Sequence, residues 1–145
     1  MSVRSYRRRS KSVTSSSPPP YRLYSFSLVG VPAAFVESKA MIVDGYLPVV
    51  LHVQLRFGLW DDILAAPEFA PDLKISNAVR RYARGVALTA LRRFDEAEEE
   101  LRRFDEVAAT IEAERPLGNN MAKTVMHIPR ALLAGELEFA RGERD

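Results

Sequence analysis

Two histidines, one run of carboxylates and a small group of arginines are the side chains here with chemistry to offer. His52 and His127 are the two imidazoles, the side chain that titrates near neutral pH and ligates metals. They lie far apart and share no metal-ligand spacing, so each reads as a packed or hydrogen-bonded residue. Glu98, Glu99, Glu100, Asp105 and Glu106 form an acidic run with Arg102 and Arg103 inside it. A glycosidase pair would need two carboxylates facing across a cleft. A continuous run reads instead as a solvated helix face, with Glu98–Arg102 and Glu99–Arg103 as i,i+4 pairs contributing about 0.2–0.5 kcal/mol each. There is no glycine-rich phosphate loop and no nucleophile elbow. No cysteine is present, which removes thiol nucleophiles, thiolate metal sites and disulfides. The expectation is a protein that is not an enzyme and holds no cofactor or metal.

Binding chemistry is the remaining option. Arg80, Arg81 and Arg84 fall on the polar side of a helix, where they can grip an acidic peptide or balance the acidic run that follows. Trp60 is either a core residue or an exposed anchor for a partner.

The elements that position these residues are helices. Ala78, Val79, Tyr82, Ala83, Val86, Ala87, Ala90 and Leu91 recur at steps of three and four, one broad apolar stripe. Ser76 or Asn77 can cap its start. Gly85 within it costs about 1 kcal/mol relative to alanine, so its presence predicts close approach of another helix. Phe94, Ala97, Leu101, Phe104, Ala108 and Ile111 form a second, heptad-like seam. Asp95 with Glu98 resembles a capping box, and Arg115, Pro116 and Gly118 mark the end. The link Arg92-Arg93-Phe94 is short enough to force antiparallel packing. A weaker pair precedes it: a helix opening at Leu47-Pro48 and ended by Phe57-Gly58, then a short one from Trp60 that Pro67 stops. Residues 67–77 read as a loop. A last helix spans about Met121 to Ala140, which Pro129 must kink or begin. No apolar run is long enough to cross a membrane.

Charge divides the chain in two. Residues 1–40 hold seven basic side chains against Glu37 alone, a net of +6. The remainder holds 14 basic and 18 acidic, a net of −4. The first stretch contains Arg7-Arg8-Arg9, Ser15-Ser16-Ser17 and Pro18-Pro19-Pro20. With so little apolar surface to bury, it is expected to be a disordered basic tail. It also fits an organelle transit peptide, a nucleic-acid or anionic-membrane contact through Arg7, Arg8 and Arg9, or an upstream extension of a chain that starts at Met41. Leu28 to Val36 is apolar but interrupted by Gly30 and Pro32.

Self-similarity adds a resemblance. Phe57-Gly58-Leu59-Trp60-Asp61-Asp62 parallels Leu91-Arg92-Arg93-Phe94-Asp95-Glu96, and Trp60 to Phe94 is an offset of 34 residues, the tetratricopeptide period. A third such turn begins at Arg141-Gly142. Gly85, Ala97 and Leu101 match the small and large positions of such repeats. Arg92 departs from the usual turn glycine, and Phe104 from a second alanine. With Leu133-Ala134-Gly135-Glu136-Leu137, the chain over about 45–145 resembles the middle of long bacterial tetratricopeptide-repeat proteins, in which further helix pairs follow.

The resemblance implies an all-α fold of antiparallel helical hairpins stacked as a short α-solenoid over residues 41–145; the expected location is the cytoplasm, with an organelle transit peptide as the alternative. It implies a protein-interaction scaffold whose groove, lined by the first helix of each pair, takes a protein or peptide. Self-association through the last helix, or a remnant without independent activity, are the companion expectations. Finally, Leu91-Arg92-Arg93-Phe94-Asp95-Glu96 recurs as Leu101-Arg102-Arg103-Phe104-Asp105-Glu106. The repeat reads as slippage in a helix-compatible composition or as a charged stripe facing a partner.

Overall fold

In a computed structural model the described residues are 43–142. The basic tail with Arg7, Arg8 and Arg9 lies outside them, as do residues 143–145.

The described chain is mostly helical. Helix α1 (Val49–Phe57) follows Pro48 and ends at Gly58. Helix α2 (Trp60–Ala65) is short, and the chain turns extended at Ala66 before Pro67. Helices α3 (Lys74–Ala90) and α4 (Phe94–Ala109) form the central hairpin. A two-stranded hairpin, β1 (Pro116–Leu117) and β2 (Asn120–Met121), leads into α5 (Ala122–Val125) and α6 (His127–Arg141). The β-hairpin was not legible in the sequence. Its register pairs Leu117 with Asn120, and Gly118 takes φ 59°, the left-handed value that two-residue hairpin turns favour.

The α1–α2 and α3–α4 turns share one geometry. Gly58 has φ 65° and Arg92 has φ 59°. After α1, Gly58 N–H donates to Leu55 O and Leu59 N–H to Gln54 O. After α3, Arg92 N–H donates to Thr89 O and Arg93 N–H to Leu88 O. Both are Schellman closures, which satisfy the orphan carbonyls of a helix end. The next helix then starts at Trp60 and at Phe94, so the 34-residue offset is one of backbone conformation too.

Helix α3 sits at the centre. It packs against α4, α6, α2 and α1, and it contributes to each group of buried side chains. Ile75, Ala78 and Val79 meet Phe104, Ile111, Ala122 and Met126. Ala83 and Ala87 meet Leu51 and Ile63. Leu88 meets Ala97 and Leu137. Burial therefore extends well beyond the single stripe expected, reaching Ser76, Arg80 and Thr89. Gly85 is approached by α6: a Cβ there would lie 2.5 Å from Leu133 Cδ2.

Several helix boundaries differ from expectation. Helix α3 starts at Lys74, inside the stretch read as a loop, and neither Ser76 nor Asn77 is its N-cap. Asp44 supplies that function from outside the helix. Its fully buried carboxylate accepts hydrogen bonds from Ile75 N–H at 3.0 Å and Ser76 N–H at 2.8 Å, and pairs with Arg115 at 3.2 Å. A non-local cap leaves no local sequence signature. Asn77 closes the preceding loop instead, accepting from Phe69 N–H and donating to Ala70 O. The capping box at Asp95 is also absent. Helix α4 begins one residue earlier, at Phe94, with no side-chain cap; it ends at Ala109, before Ile111. In α6, Pro129 falls in the first turn, where its missing N–H has no helical partner to lose. It begins that helix rather than kinking it.

Charged pairs fasten α4 to α6 at both ends. Arg130 binds Asp105 through two nitrogens at 2.8 and 3.1 Å, and Arg141 meets Glu98 at 2.5 Å. Glu98 is thereby drawn away from the expected pairing with Arg102, which joins Glu99 and Glu106. Glu99–Arg103 forms at 2.7 Å. Arg92 and Arg141 lie over the Phe94 ring at 5.3 and 5.7 Å, a cation–π arrangement.

Candidate functional site

The three arginines marked by the sequence are brought together, and all have partners within the fold. Arg80 is only 7% exposed. It donates from Nε and a terminal nitrogen to Ala66 O at 3.1 and 2.9 Å, and reaches Glu68 at 3.3 Å. Arg84 donates to Leu64 O at 2.7 Å and to Glu100 at 2.7 Å. Arg81 bridges Glu68 at 2.5 Å and Glu100 at 3.3 Å. Leu64 and Ala66 lie at the C-terminal end of α2, where carbonyls lack helical donors. The guanidinium groups thus cap α2 from α3 and tie α3 to the buried Glu100 of α4. Burial, then the charges of Arg84 and Arg81, lower the Arg80 pKa, against the opposing pull of Glu68 and Glu100.

Trp60 is half-buried and packs onto the group formed by Leu51, Ile63, Ala83 and Ala87. His52 and His127 are exposed and far from each other in the chain. Among the described residues no three His, Cys, Asp or Glu side chains stand together as a metal site. No helix among them is long and apolar enough to cross a membrane.

A concave feature lies elsewhere. A groove of about 290 Å³ runs across α1, α3 and α6. It is lined by Pro48 and His52, by Ile75, Val79 and Tyr82 of α3, and by Ile128, Pro129 and Leu132 of α6. Gly45, Leu117 and Met126 also line it. Apolar groups dominate; His52 and the Tyr82 hydroxyl are the polar exceptions. Burial, and then the charge of Glu136, raise the Tyr82 pKa above 10.0, so the ring is a neutral hydrogen-bonding group at physiological pH. Such a surface suits an apolar side chain or two with a polar flank.

Sequence reasoning missed most of these residues for a physical reason. Ile75, Val79 and Tyr82 are spaced i, i+4, i+7 on α3, the same spacing that marks a core-facing stripe. Ile75 and Val79 are core residues as well, and a stripe that also borders a groove has the same periodicity as one wholly covered by a helix. The comparisons with protein-family models, with curated proteins and with solved structures found no match to this chain.

Proposed function

We propose that the chain is a protein-interaction module of tetratricopeptide-repeat type, which holds a short apolar segment of a partner in the groove across α1, α3 and α6. The observation that carries this reading is the groove itself: its walls come from the first helix of each hairpin and from α6, the next helix in that order. The two turns 34 residues apart support it, because they give the two hairpins the same start. So does the packing order, in which α3 contacts its own hairpin partner, the pair before it and the helix after it. That is the nearest-neighbour logic of a solenoid. Apolar side chains also remain exposed at both ends of the stack, Val49, Val53 and Phe57 on α1 and Ile128 and Leu132 on α6.

The test is selection of binders from a random peptide library on the full chain, followed by affinity measurement with variants. Leu132→Glu places a charge in the groove; Phe57→Glu places one on an exposed face outside it. The expected result is a loss of at least tenfold (about 1.4 kcal/mol) for Leu132→Glu and none for Phe57→Glu. Selected peptides indifferent to Leu132→Glu, or no selectable peptide, would overturn the reading. A second copy in the groove would appear as a dimer in light scattering.

A further inference from the structure

We propose that this chain associates with itself head to tail, the outer face of α1 in one copy seating on the outer face of α6 in the next. The contact is separate from the groove, because neither Val53 nor Gly135, its central residues, lines that surface.

Both helices present an apolar face to solvent. On α1, Val49, Val53 and Phe57 are half exposed or more, and their i, i+4, i+8 spacing sets them in one row. Leu51 and Gln54 are buried on the opposite side. On α6, Ile128 and Leu132 are more than half exposed, while Leu133 and Leu137 are buried. A stack of helices that ends in water needs a polar outer face; a contiguous apolar one marks an interaction surface.

Gly135 makes α6 the receiving surface. Glycine weakens a helix interior. At Gly85 the fold accounts for it, because Leu133 fills the space a Cβ would need. At Gly135 a Cβ would meet nothing within 4 Å among the described residues. With Ala131 it leaves a shallow depression of about 300 Å³, bordered by Leu132, Glu136 and Phe139. Side chains spaced by four residues form a ridge that fits such a trough on a neighbouring helix, and Val49, Val53 and Phe57 are that ridge.

Charge selects which faces meet. Helix α1 carries exposed His52 and Arg56 and no acid. Glu136 borders the depression on α6, and exposed Glu138 follows three residues after Gly135, on the same side of the helix. The two arginines of α6, Arg130 and Arg141, are held by Asp105 and Glu98. With Val53 over Gly135, Arg56 and both glutamates lie within about 5 Å, one helical turn, of the crossing. Joining α6 to α6 would set Glu136 and Glu138 against themselves, and joining α1 to α1 would oppose Arg56 with Arg56. Only α1 on α6 brings unlike charges together, which fixes the choice of face. Size sets the strength. Helix α1 has nine residues, roughly 14 Å of length, so the contact is small and the association weak, on the order of 100 μM.

The test is sedimentation equilibrium on the full chain from roughly 10 μM to 1 mM, a range that brackets this affinity. Average mass should rise with concentration. Val53→Glu spoils the α1 face and Gly135→Gln fills the depression on α6. Each puts a better helix former at an exposed position, so the fold should be kept, which a thermal melt checks. Each alone should weaken self-association at least about tenfold. Mixed in equal amounts, the two should form a one-to-one dimer and nothing larger, because each brings the face the other lacks. Phe57→Glu and Ala131→Gln repeat the test at neighbouring positions. A chain still monomeric at about 1 mM, self-association that survives either substitution, or variants that do not pair on mixing overturns the proposal. Peptide selection on the Gly135→Gln chain reports on the groove alone, so the two readings fail separately.

Discussion

Gly85 on α3 faces Leu133 on α6 with no room for a methyl group: an added Cβ would lie 2.5 and 2.8 Å from the two Leu133 methyls. Leu133 is fully buried, so it has little freedom to move aside. Gly85→Ala gains roughly 1 kcal/mol in helix propensity but overpacks the crossing at about 1–3 kcal/mol. We expect a net loss of stability in urea titration. Combining it with Leu133→Ala should recover part of the loss, giving a coupling of about 0.5–3 kcal/mol. Additive losses would show that the two residues do not share the crossing.

The paired turns predict opposite effects from related substitutions. Arg92 holds a left-handed conformation at φ 59°, which disfavours a side chain by about 1–2 kcal/mol. Arg92→Gly should therefore stabilise by roughly 0.5–1 kcal/mol once the entropy of glycine is set against it. The Phe94 ring keeps its contact with Arg141. Gly58→Ala, at φ 65°, should destabilise by about 1 kcal/mol. Thermal melts of the two variants check the signs.

Asp44 is the non-local cap of the central helix, and its removal should be felt globally. Asp44→Ala removes the carboxylate that accepts from Ile75 N–H and Ser76 N–H, and one partner of the partly buried Arg115. Unsatisfied buried groups cost about 1–3 kcal/mol each, so a loss of about 2–4 kcal/mol is expected. Asp44→Asn keeps one acceptor oxygen and should lose less. Urea denaturation distinguishes the two, and an Asp44→Ala chain as stable as the original would refute the capping role.

Acid should weaken the fold through its exposed carboxylates. Hydrogen bonds from Arg102 and then Arg103 hold the Glu99 pKa down, from 4.5 to about 2. Glu96, Glu98 and Glu112 are shifted the same way by hydrogen bonds from Arg93, Arg141 and Lys74. A carboxylate with a depressed folded pKa contributes stability above its unfolded value and loses it as pH falls through the folded one. The midpoint of thermal unfolding should therefore drop between about pH 4.5 and pH 2. The drop should be small, because exposed pairs are screened. Glu99→Gln should flatten part of it, and 1 M salt should flatten it further.

Much of the helical order was legible from local chemistry. Periodicity marked α3 and α4, Gly58 and Pro67 marked the ends around α2, and Gly85 signalled a close helix crossing. The partner at that crossing, the groove and the destination of each arginine were not legible, since they depend on residues distant in the chain. Arg80 shows the difference. Its place on the polar side of a helix suggested exposure, yet the C-terminal end of α2 covers it and takes its hydrogen bonds.

The duplicated hexapeptide separates the two kinds of information most directly. Leu-Arg-Arg-Phe-Asp-Glu at 91–96 breaks the helix, with Arg92 in the left-handed region and α4 starting at Phe94. The same six residues at 101–106 run inside α4 without interruption. Helix-compatible composition is a property the sequence alone determined, and it is equal in both copies. What differs is the surroundings. At 91–96 the chain must reverse so that Ala97 can meet Leu88 and Leu137. At 101–106 continuing the helix is what brings Phe104 into contact with Ile75, Ala78 and Val79. Propensity differences of a few tenths of a kcal/mol per residue are outweighed by burial of a core side chain, worth about 1.5–3 kcal/mol. The tertiary structure therefore decided where the turn falls.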